Sequence, residues 1–184
     1  MDAVYRSAEE LASGLAEIRR SPRDGGSVEL IVCRPRVDER EILAEGKLEV
    51  QAGLVGDNWR ERTSSRTEDG SAHPEMQLAL MNARVLRLIA GETQRWSLAG
   101  DQIFVDLDLS DANIPAGTRL SLGSSVIETT GQSHSGCKKF AARFGVEALA
   151  WVSSDVGREL HLRGIYAKVV TPGVVRPGDW ISKL

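Results

Sequence analysis

The sequence predicts a mainly β protein built around a closed or nearly closed antiparallel β-barrel, with a few peripheral helices. Short β-rich segments, separated by turn clusters, follow one another through the second half of the chain. They do not alternate with helices as a βαβ protein would require. The 184 residues, 41% hydrophobic and 27% charged, have the size and composition of one ordinary folded domain.

The chain begins with a predicted amphipathic helix over residues 7–19. Ser7 and Glu10 have the spacing of a capping box, and the helix must end before Pro22. Its apolar face is formed by Leu11, Leu15 and Ile18. We therefore expect residues 1–26 to form a helical extension packed on a barrel domain of residues 27–184.

Two strands and a long loop follow this extension. Residues 27–34 are rich in β-branched and aliphatic side chains up to Pro35, and residues 47–50 alternate polar with apolar. Residues 58–72 are polar and nearly free of aliphatic side chains, which is typical of a loop with a binding or gating role. We expect this loop to cover a site.

Residues 74–91 are predicted to form the clearest helix of the chain. Pro74 suits the first turn of a helix and Gly91 suits its end. Apolar side chains recur at helical spacing between them, at Met76, Leu80, Met81, Val85 and Leu88.

The strands of the second half are short and evenly spaced. Turn clusters that contain Gly or Pro separate most of them, which favours a barrel. The predicted strands are residues 102–107, 118–122, 125–130, 164–170 and 179–183.

Residues 138–152 have helical spacing, with Gly145 as the position at which the helix divides in two. Cys137 therefore lies at a helix N-terminus, beside Lys138 and Lys139 and three residues after His134. Unpaired backbone N–H groups and nearby positive charge favour the thiolate. A thiolate can attack sulfur, carry a persulfide or bind a soft metal.

The alternative is that Cys137 is a small buried hydrophobic residue, as most cysteines are. Local context leaves both interpretations open. Cys33 follows an apolar strand, and we interpret it as a core residue.

Other chemistries have weaker support. His134 and Cys137 form an H-x-x-C pair, but a zinc site needs further ligands, and His73 and His161 have no ligand-type neighbours that complete one. No G-x-S-x-G motif or identifiable acid supports a serine hydrolase. Aspartates near residue 106 fit the wet face of a strand better than a cation site.

Charge and hydropathy argue against several functional classes. The net charge of -3 and pI near 5.7 give no overall attraction to nucleic acid. No apolar run approaches the roughly 20 residues of a membrane-spanning helix, and the N-terminus lacks the apolar core of a secretory signal. We expect a cytoplasmic protein with two separate thiols rather than a disulfide.

Four motifs, in order along the chain, resemble those of MOSC domains, the module named for the C-terminal domain of molybdenum cofactor sulfurase. The similarity extends from about Val28 to Leu184. The motifs are Arg34-Pro35-Arg36, the Gly53-Leu54-Val55-Gly56-Asp57 loop, the segment from His134 to Ala148 around Cys137, and the terminal segment from Leu162 to Asp179. Residues 58–62 differ from the basic, His- and Gly-rich stretch that follows Gly-Asp in many members.

The resemblance implies a barrel of the MOSC, or pyruvate-kinase-barrel-like, type with Cys137 as its working residue. Cys137 would either ligate molybdenum in a bound molybdopterin cofactor or carry sulfur as a persulfide. Some members resemble reductases of N-hydroxylated compounds, and others deliver sulfur received from a cysteine desulfurase. A binding barrel without catalytic activity is a third alternative.

The same resemblance implies a small-molecule substrate and a partner protein, either a cysteine desulfurase or a redox protein. Pyridoxal phosphate is not expected in this chain, since the desulfurase half that uses it is a separate module. His134 would assist Cys137. A pterin phosphate favours planar bidentate donors and nearby charge, and the candidate cofactor-binding residues are Arg36, Asp57, Arg60, Lys138, Lys139, Arg143 and Arg163.

Overall fold

The structure is a computed structural model that describes residues 5–184. Its strands are β1 (Gly26–Cys33), β2 (Glu41–Ile42), β3 (Gly46–Glu49), β4 (Gly53–Leu54), β5 (Leu78–Asn82), β6 (Ile103–Asp106), β7 (Arg119–Leu122), β8 (Ser125–Thr129), β9 (Ile165–Thr171), β10 (Gly173–Val175) and β11 (Trp180–Lys183). The α-helices are α1 (Ala8–Ser13), α2 (Leu15–Ile18), α3 (Ala83–Ala90), α4 (Lys138–Phe144), α5 (Val146–Val152) and α6 (Asp155–Glu159). Short 3₁₀ helices cover Asn58–Glu61, Pro74–Met76 and Thr93–Ala99.

Seven of these strands close into the predicted barrel. The main sheet has the order β11-β7-β8-β9-β5-β6-β1-β2, and an additional β11–β1 pairing joins the first strand of this order to the seventh. A smaller sheet of order β10-β3-β4 lies beside it. The barrel prediction is therefore confirmed.

One pair of barrel strands departs from the antiparallel expectation. β5 and β6 run parallel, whereas every other pairing among the described residues is antiparallel. A parallel pair needs a crossover connection, and α3 with the 3₁₀ helix Thr93–Ala99 supplies it.

The helix predicted over residues 74–91 is wrong in its first half. Leu78–Asn82 is β5, and α3 begins only at Ala83, with the Asn82 side chain accepting a hydrogen bond from the Arg84 backbone N–H. All five residues of β5 are buried because one face lines the barrel and the other meets the helices. A strand buried on both faces has no polar alternation, so periodicity could not separate it from a helix.

The other predicted helices are confirmed. Ser7 caps α1 in a capping box with Glu10, and the segment is interrupted at Gly14 before α2. The helical region after Cys137 divides into α4 and α5 at Gly145, whose φ of 94° lies in the left-handed region that favours glycine.

Two hydrophobic cores lie on opposite sides of the barrel wall. Val28, Ile31 and Cys33 of β1 face the barrel interior, whereas Leu30 and Val32 pack in the outer, helical layer. Leu11 and Ile18 of the N-terminal helices belong to this outer layer. Residues 1–4 of the proposed extension lie outside the described residues, and the division at residues 26 and 27 stays a prediction.

Within residues 5–184, the helices are all too short or too polar to cross a bilayer.

Candidate functional site

A cavity of about 490 Å³ lies where five segments of the chain meet. Its size falls within the range of small-molecule sites. The segments are the loop after β1, the stretch from the 58–72 loop into β5, the turn before β6, the segment from His134 to Arg143, and the chain at the start of β9. Its charged and sulfur-bearing lining side chains include Arg34, Asp38, Arg40, Arg62, Cys137, Lys139, Arg143 and Arg163.

Cys137 is exposed and lies on this cavity at the N-cap position of α4. The loop before α4 passes close to α5 at the neighbouring residue Gly136. A Cβ on Gly136 would lie 2.3 Å from Cδ1 of Leu149 in α5, so a side chain there would displace Leu149. Cys33, by contrast, is 3% exposed in the barrel core, and burial raises the pKa of its thiol. The core interpretation of Cys33 is confirmed.

Arg34 is held rigidly in the cavity wall by Asp57. Its Nε and Nη2 donate to the two carboxylate oxygens of Asp57 at 2.8 and 2.7 Å, a bidentate pair. The Arg34 Nη1 donates to the Gly100 carbonyl at 2.8 Å. The Asp57 side chain is fully buried, so its role is to position the guanidinium rather than to face the cavity.

Two further guanidinium groups are less well compensated. The pKa of Arg40 is lowered by burial and by the positive charges of Arg143 and Arg34, and its Nε is sealed without a hydrogen-bond partner. The pKa of Arg62 is lowered by burial and by Arg34. Because the cavity holds positive charges that repel one another, it favours an anionic occupant.

Asp38 links the basic groups beside Cys137. Its carboxylate accepts from Lys139 Nζ at 2.9 Å and from Arg143 Nη2 at 3.3 Å, and these contacts lower the pKa of Asp38. The Arg143 Nη1 donates to the carbonyl of Leu98 at 2.7 Å. The segment after β1 is thereby tied to the helix that carries the thiol.

His134 lies in a buried polar cluster at the inner end of the site. Its ring packs against that of Tyr166, with centroids 4.3 Å apart and planes tilted by 42°, and its Nδ1 is 3.5 Å from Oδ1 of Asp101. Arg163 Nη1 donates to the other carboxylate oxygen of Asp101 at 2.7 Å. Burial, and then the charge of Arg163, hold the pKa of His134 well below its ordinary value, so we treat the ring as neutral rather than as an ion-pair partner.

Five of the residues predicted for the site line one cavity: His134, Cys137, Lys139, Arg143 and Arg163. Asp57 lies behind the wall and acts on it through Arg34. Arg36, Arg60 and Lys138 do not line it: the Arg36 side chain is 81% exposed against Glu39, and the other two are exposed. Their cofactor role stays a prediction without support from their positions.

Sequence reasoning missed several lining residues that lie far apart along the chain. Arg34 directly follows a buried strand, a signal that it lies nearer the core than Arg36. Arg62 lies in the loop that was predicted to cover a site. Arg40 and Tyr166, and Asp101 buried behind the lining, gave no local signal, because only the closed barrel brings them together.

A metal in this site would depend on few protein ligands. The described part of the chain contains no group of three or more His, Cys, Asp or Glu side chains that could bind a metal ion.

Fold and site together define a small closed β-barrel protein with an exposed thiol beside an arginine-lined cavity. The family model described as the MOSC domain matches residues 67–182, and the chain belongs to this family.

Solved structures show the same fold. The YuaD protein from Bacillus subtilis is 15% identical with a TM-score of 0.63, covering 85% of this chain and 94% of that one. YiiM from Escherichia coli is 18% identical with a TM-score of 0.53, covering 86% and 69%. YiiM from Geobacillus stearothermophilus is 13% identical with a TM-score of 0.54, covering 86% and 75%. No curated protein matches the chain.

Proposed function

We propose that this protein binds a molybdenum cofactor in the arginine-lined cavity and acts as an oxidoreductase on a small molecule, with the Cys137 thiolate as the protein ligand of the metal. N-hydroxylated compounds are the proposed substrates. The observation that carries the proposal is the position of an exposed thiol on a cavity of about 490 Å³ lined by several guanidinium groups. A bound molybdenum centre would supply the redox chemistry.

The lining residues fit a phosphate-bearing cofactor. Guanidinium groups are planar donors that match phosphate oxygens, and Arg34, Arg40 and Arg62 all line the cavity. Arg34 is oriented by Asp57, so its position is fixed before a ligand enters. We assign the cofactor phosphate to Arg40 and Arg62, and assign Lys139 and Arg143 to the region beside the thiol.

Metal content tests this function. Protein produced in a host that makes molybdenum cofactor should contain molybdenum, and Cys137→Ser should lose it. Cys33→Ala is the matched control, because this second thiol lies in the barrel core and should not affect metal content. Metal-free wild-type protein from the competent host, or a Cys137→Ser variant that keeps its molybdenum, would overturn the proposal.

The exposure of Cys137 also favours a second candidate function, that of a sulfur carrier. A cysteine desulfurase would supply the sulfur, and the thiolate would hold it as a persulfide for transfer to the cofactor of another protein. Incubation with a desulfurase should then add one sulfur atom to Cys137, removable by a thiol reductant. A sulfur adduct without molybdenum would favour the carrier over the oxidoreductase.

A non-catalytic binding barrel is the remaining alternative. It predicts that Cys137 reacts slowly with an alkylating reagent and that the protein contains no metal and forms no persulfide.

A further inference from the structure

Three buried polar atoms without hydrogen-bond partners lie together behind the cavity. They are Oδ1 of Asp101, Nδ1 of His134 and Nε of Arg163. Buried polar groups are nearly always paired, because an unsatisfied one costs about 1–3 kcal/mol. A cluster of three at one point therefore needs a physical explanation.

The Asp101 carboxylate is held in place by Arg163, which hydrogen-bonds to only one of its two oxygens. Arg163 Nη1 donates to Oδ2 at 2.7 Å, and its Nη2 donates to the Ala99 carbonyl at 3.1 Å. The Arg163 guanidinium also lies over the Phe140 ring, 4.9 Å from its centroid. The carboxylate cannot turn away without breaking this arrangement, so Oδ1 stays directed at its neighbour.

That neighbour is Nδ1 of His134, 3.5 Å away. The ring is held on one face by Tyr166, and Nδ1 lies close to Gly164, where a Cβ would be 3.1 Å from it. An approach of a few tenths of an ångström would bring Nδ1–H and Oδ1 to ordinary hydrogen-bond distance. One bond would then satisfy two of the three unpaired atoms.

We propose that Asp101 is a positioning residue for His134: its free carboxylate oxygen fixes the ring with the proton on Nδ1, which leaves Nε2 as a hydrogen-bond acceptor. A neutral imidazole has one donor and one acceptor nitrogen, so fixing the first defines the second. Nε2 has no hydrogen-bond partner in residues 5–184 and is not among their sealed polar atoms, and the His134 ring borders both the arginine-lined cavity and a second cavity beside Gly131 and Gly157.

This tautomer of His134 indicates which class of ligand the cavity would bind. Most charged side chains around the cavity are donors: Arg34, Arg40, Arg62, Arg143 and Lys139. An acceptor at His134 favours an occupant that bears an N–H or O–H group as well as an anionic group. The inference rests on the proposed function only in treating this cavity as the site.

Nuclear magnetic resonance of the metal-free, full-length protein with ¹⁵N-labelled histidine tests the tautomer directly. The chain has three histidines, and a His134→Gln variant assigns the signal of His134. The ring nitrogen that carries the proton should be Nδ1 in the wild-type protein. A proton on Nε2 in the wild type would overturn the proposal without reference to any variant.

Asp101→Asn should reverse the tautomer. Arg163 donates to this side chain, so the amide oxygen of the asparagine should face Arg163 and its NH₂ group should face Nδ1. An NH₂ group is a donor, so Nδ1 must then be the acceptor nitrogen and the ring proton must lie on Nε2. An amide in place of the carboxylate has this effect in Ser-His-Asp hydrolases. The two ring-nitrogen signals of His134 should therefore interchange.

Asp57→Asn is the matched control. It also replaces a fully buried carboxylate that holds an arginine of the cavity wall, but Asp57 makes no hydrogen bond to His134. His134 should keep its proton on Nδ1 in this variant. An unchanged tautomer in folded Asp101→Asn, or the same reversal in both variants, would overturn the proposal. Since no molybdenum is present, the result is independent of the test of function.

Discussion

Arg40 shows how the site holds charge that the folded protein does not compensate. Burial, and then the charges of Arg143 and Arg34, lower its pKa, and its Nε is sealed without a hydrogen-bond partner. Binding sites often retain positive charges that repel one another because an anionic ligand compensates them, at the expense of stability in the free protein.

Arg40→Gln should therefore stabilise the free protein, by about 0.5–1 kcal/mol in the free energy of unfolding. It should also reduce the thermal protection that added phosphate gives. Melting temperatures with and without phosphate measure both effects. Arg19→Gln, at an exposed position outside the cavity, is the control and should change neither. A less stable Arg40→Gln variant with full phosphate protection would contradict this account.

His134 should make the fold sensitive to mild acid. Burial keeps its pKa in the folded protein well below 6.5, whereas the unfolded chain takes up the proton near pH 6.5. Below pH 6.5 the unfolded chain therefore binds a proton that the folded protein does not. The free energy of unfolding is at its full value above pH 6.5 and falls below that pH by up to about 1.4 kcal/mol per pH unit.

Urea unfolding of wild type and His134→Gln between pH 7.5 and pH 5, a range set by the reference pKa of about 6.5, measures this loss. The wild type should lose stability relative to the variant as the pH falls. A difference that stays constant across the range would contradict the prediction.

At the scale of elements, the turn into β9 brings the backbone unusually close to its neighbours. Gly164 has a φ of 104°, and a Cβ there would lie 2.2 Å from the Leu80 carbonyl oxygen of β5 and 3.1 Å from Nδ1 of His134. Both the backbone conformation and the space therefore require glycine, and the close contact is what seats the His134 ring.

Gly164→Ala should destabilise the protein by about 2–4 kcal/mol, because strain in the backbone adds to a collision with β5. Gly178→Ala is the matched control: its φ is 91°, but no atom lies within 4 Å of the added Cβ. Chemical denaturation of both variants separates the two contributions. Equal losses would show that the close approach at Gly164 has no energetic consequence.

Elements with strong local signals could be predicted from the sequence, and those defined by distant contacts could not. The Ser7 capping box and the break at Gly145 depend on near neighbours, and both are found. Leu78–Asn82 was assigned to a helix because burial on both faces removed its polar alternation. In the site, Cys137 and His134 are neighbours in sequence, whereas Asp101 reaches His134 only through the closed barrel.

At the scale of the whole molecule, the first and last strands of the barrel close it. β1 and β11 pair through Gly26 with Ile181 and Ser27 with Trp180, and β11 also pairs with β7. Loss of β11 would leave β1 and β7 with unpaired edges, a condition that favours aggregation. Closure at β11 therefore stabilises strands that lie far from it in sequence.

Ile181→Ala should destabilise the barrel by about 2–5 kcal/mol, since it removes a fully buried side chain from the closing strand. Trp180→Ala, one residue earlier, is the control: that side chain is 70% exposed, and the change should stay within about 0.5 kcal/mol. Denaturant unfolding followed by circular dichroism compares the two. A larger loss in Trp180→Ala would contradict the assigned inward and outward faces.

The contrasting environments of the two cysteines offer a practical route to studying occupancy. Cys33 is shielded within the barrel, while Cys137 opens onto solvent beside the cavity. A maleimide fluorophore applied in native buffer should attach at a single position without any engineered mutation. In purified protein, slower labelling of Cys137 in the presence of a small molecule would then report that the molecule fills the neighbouring space.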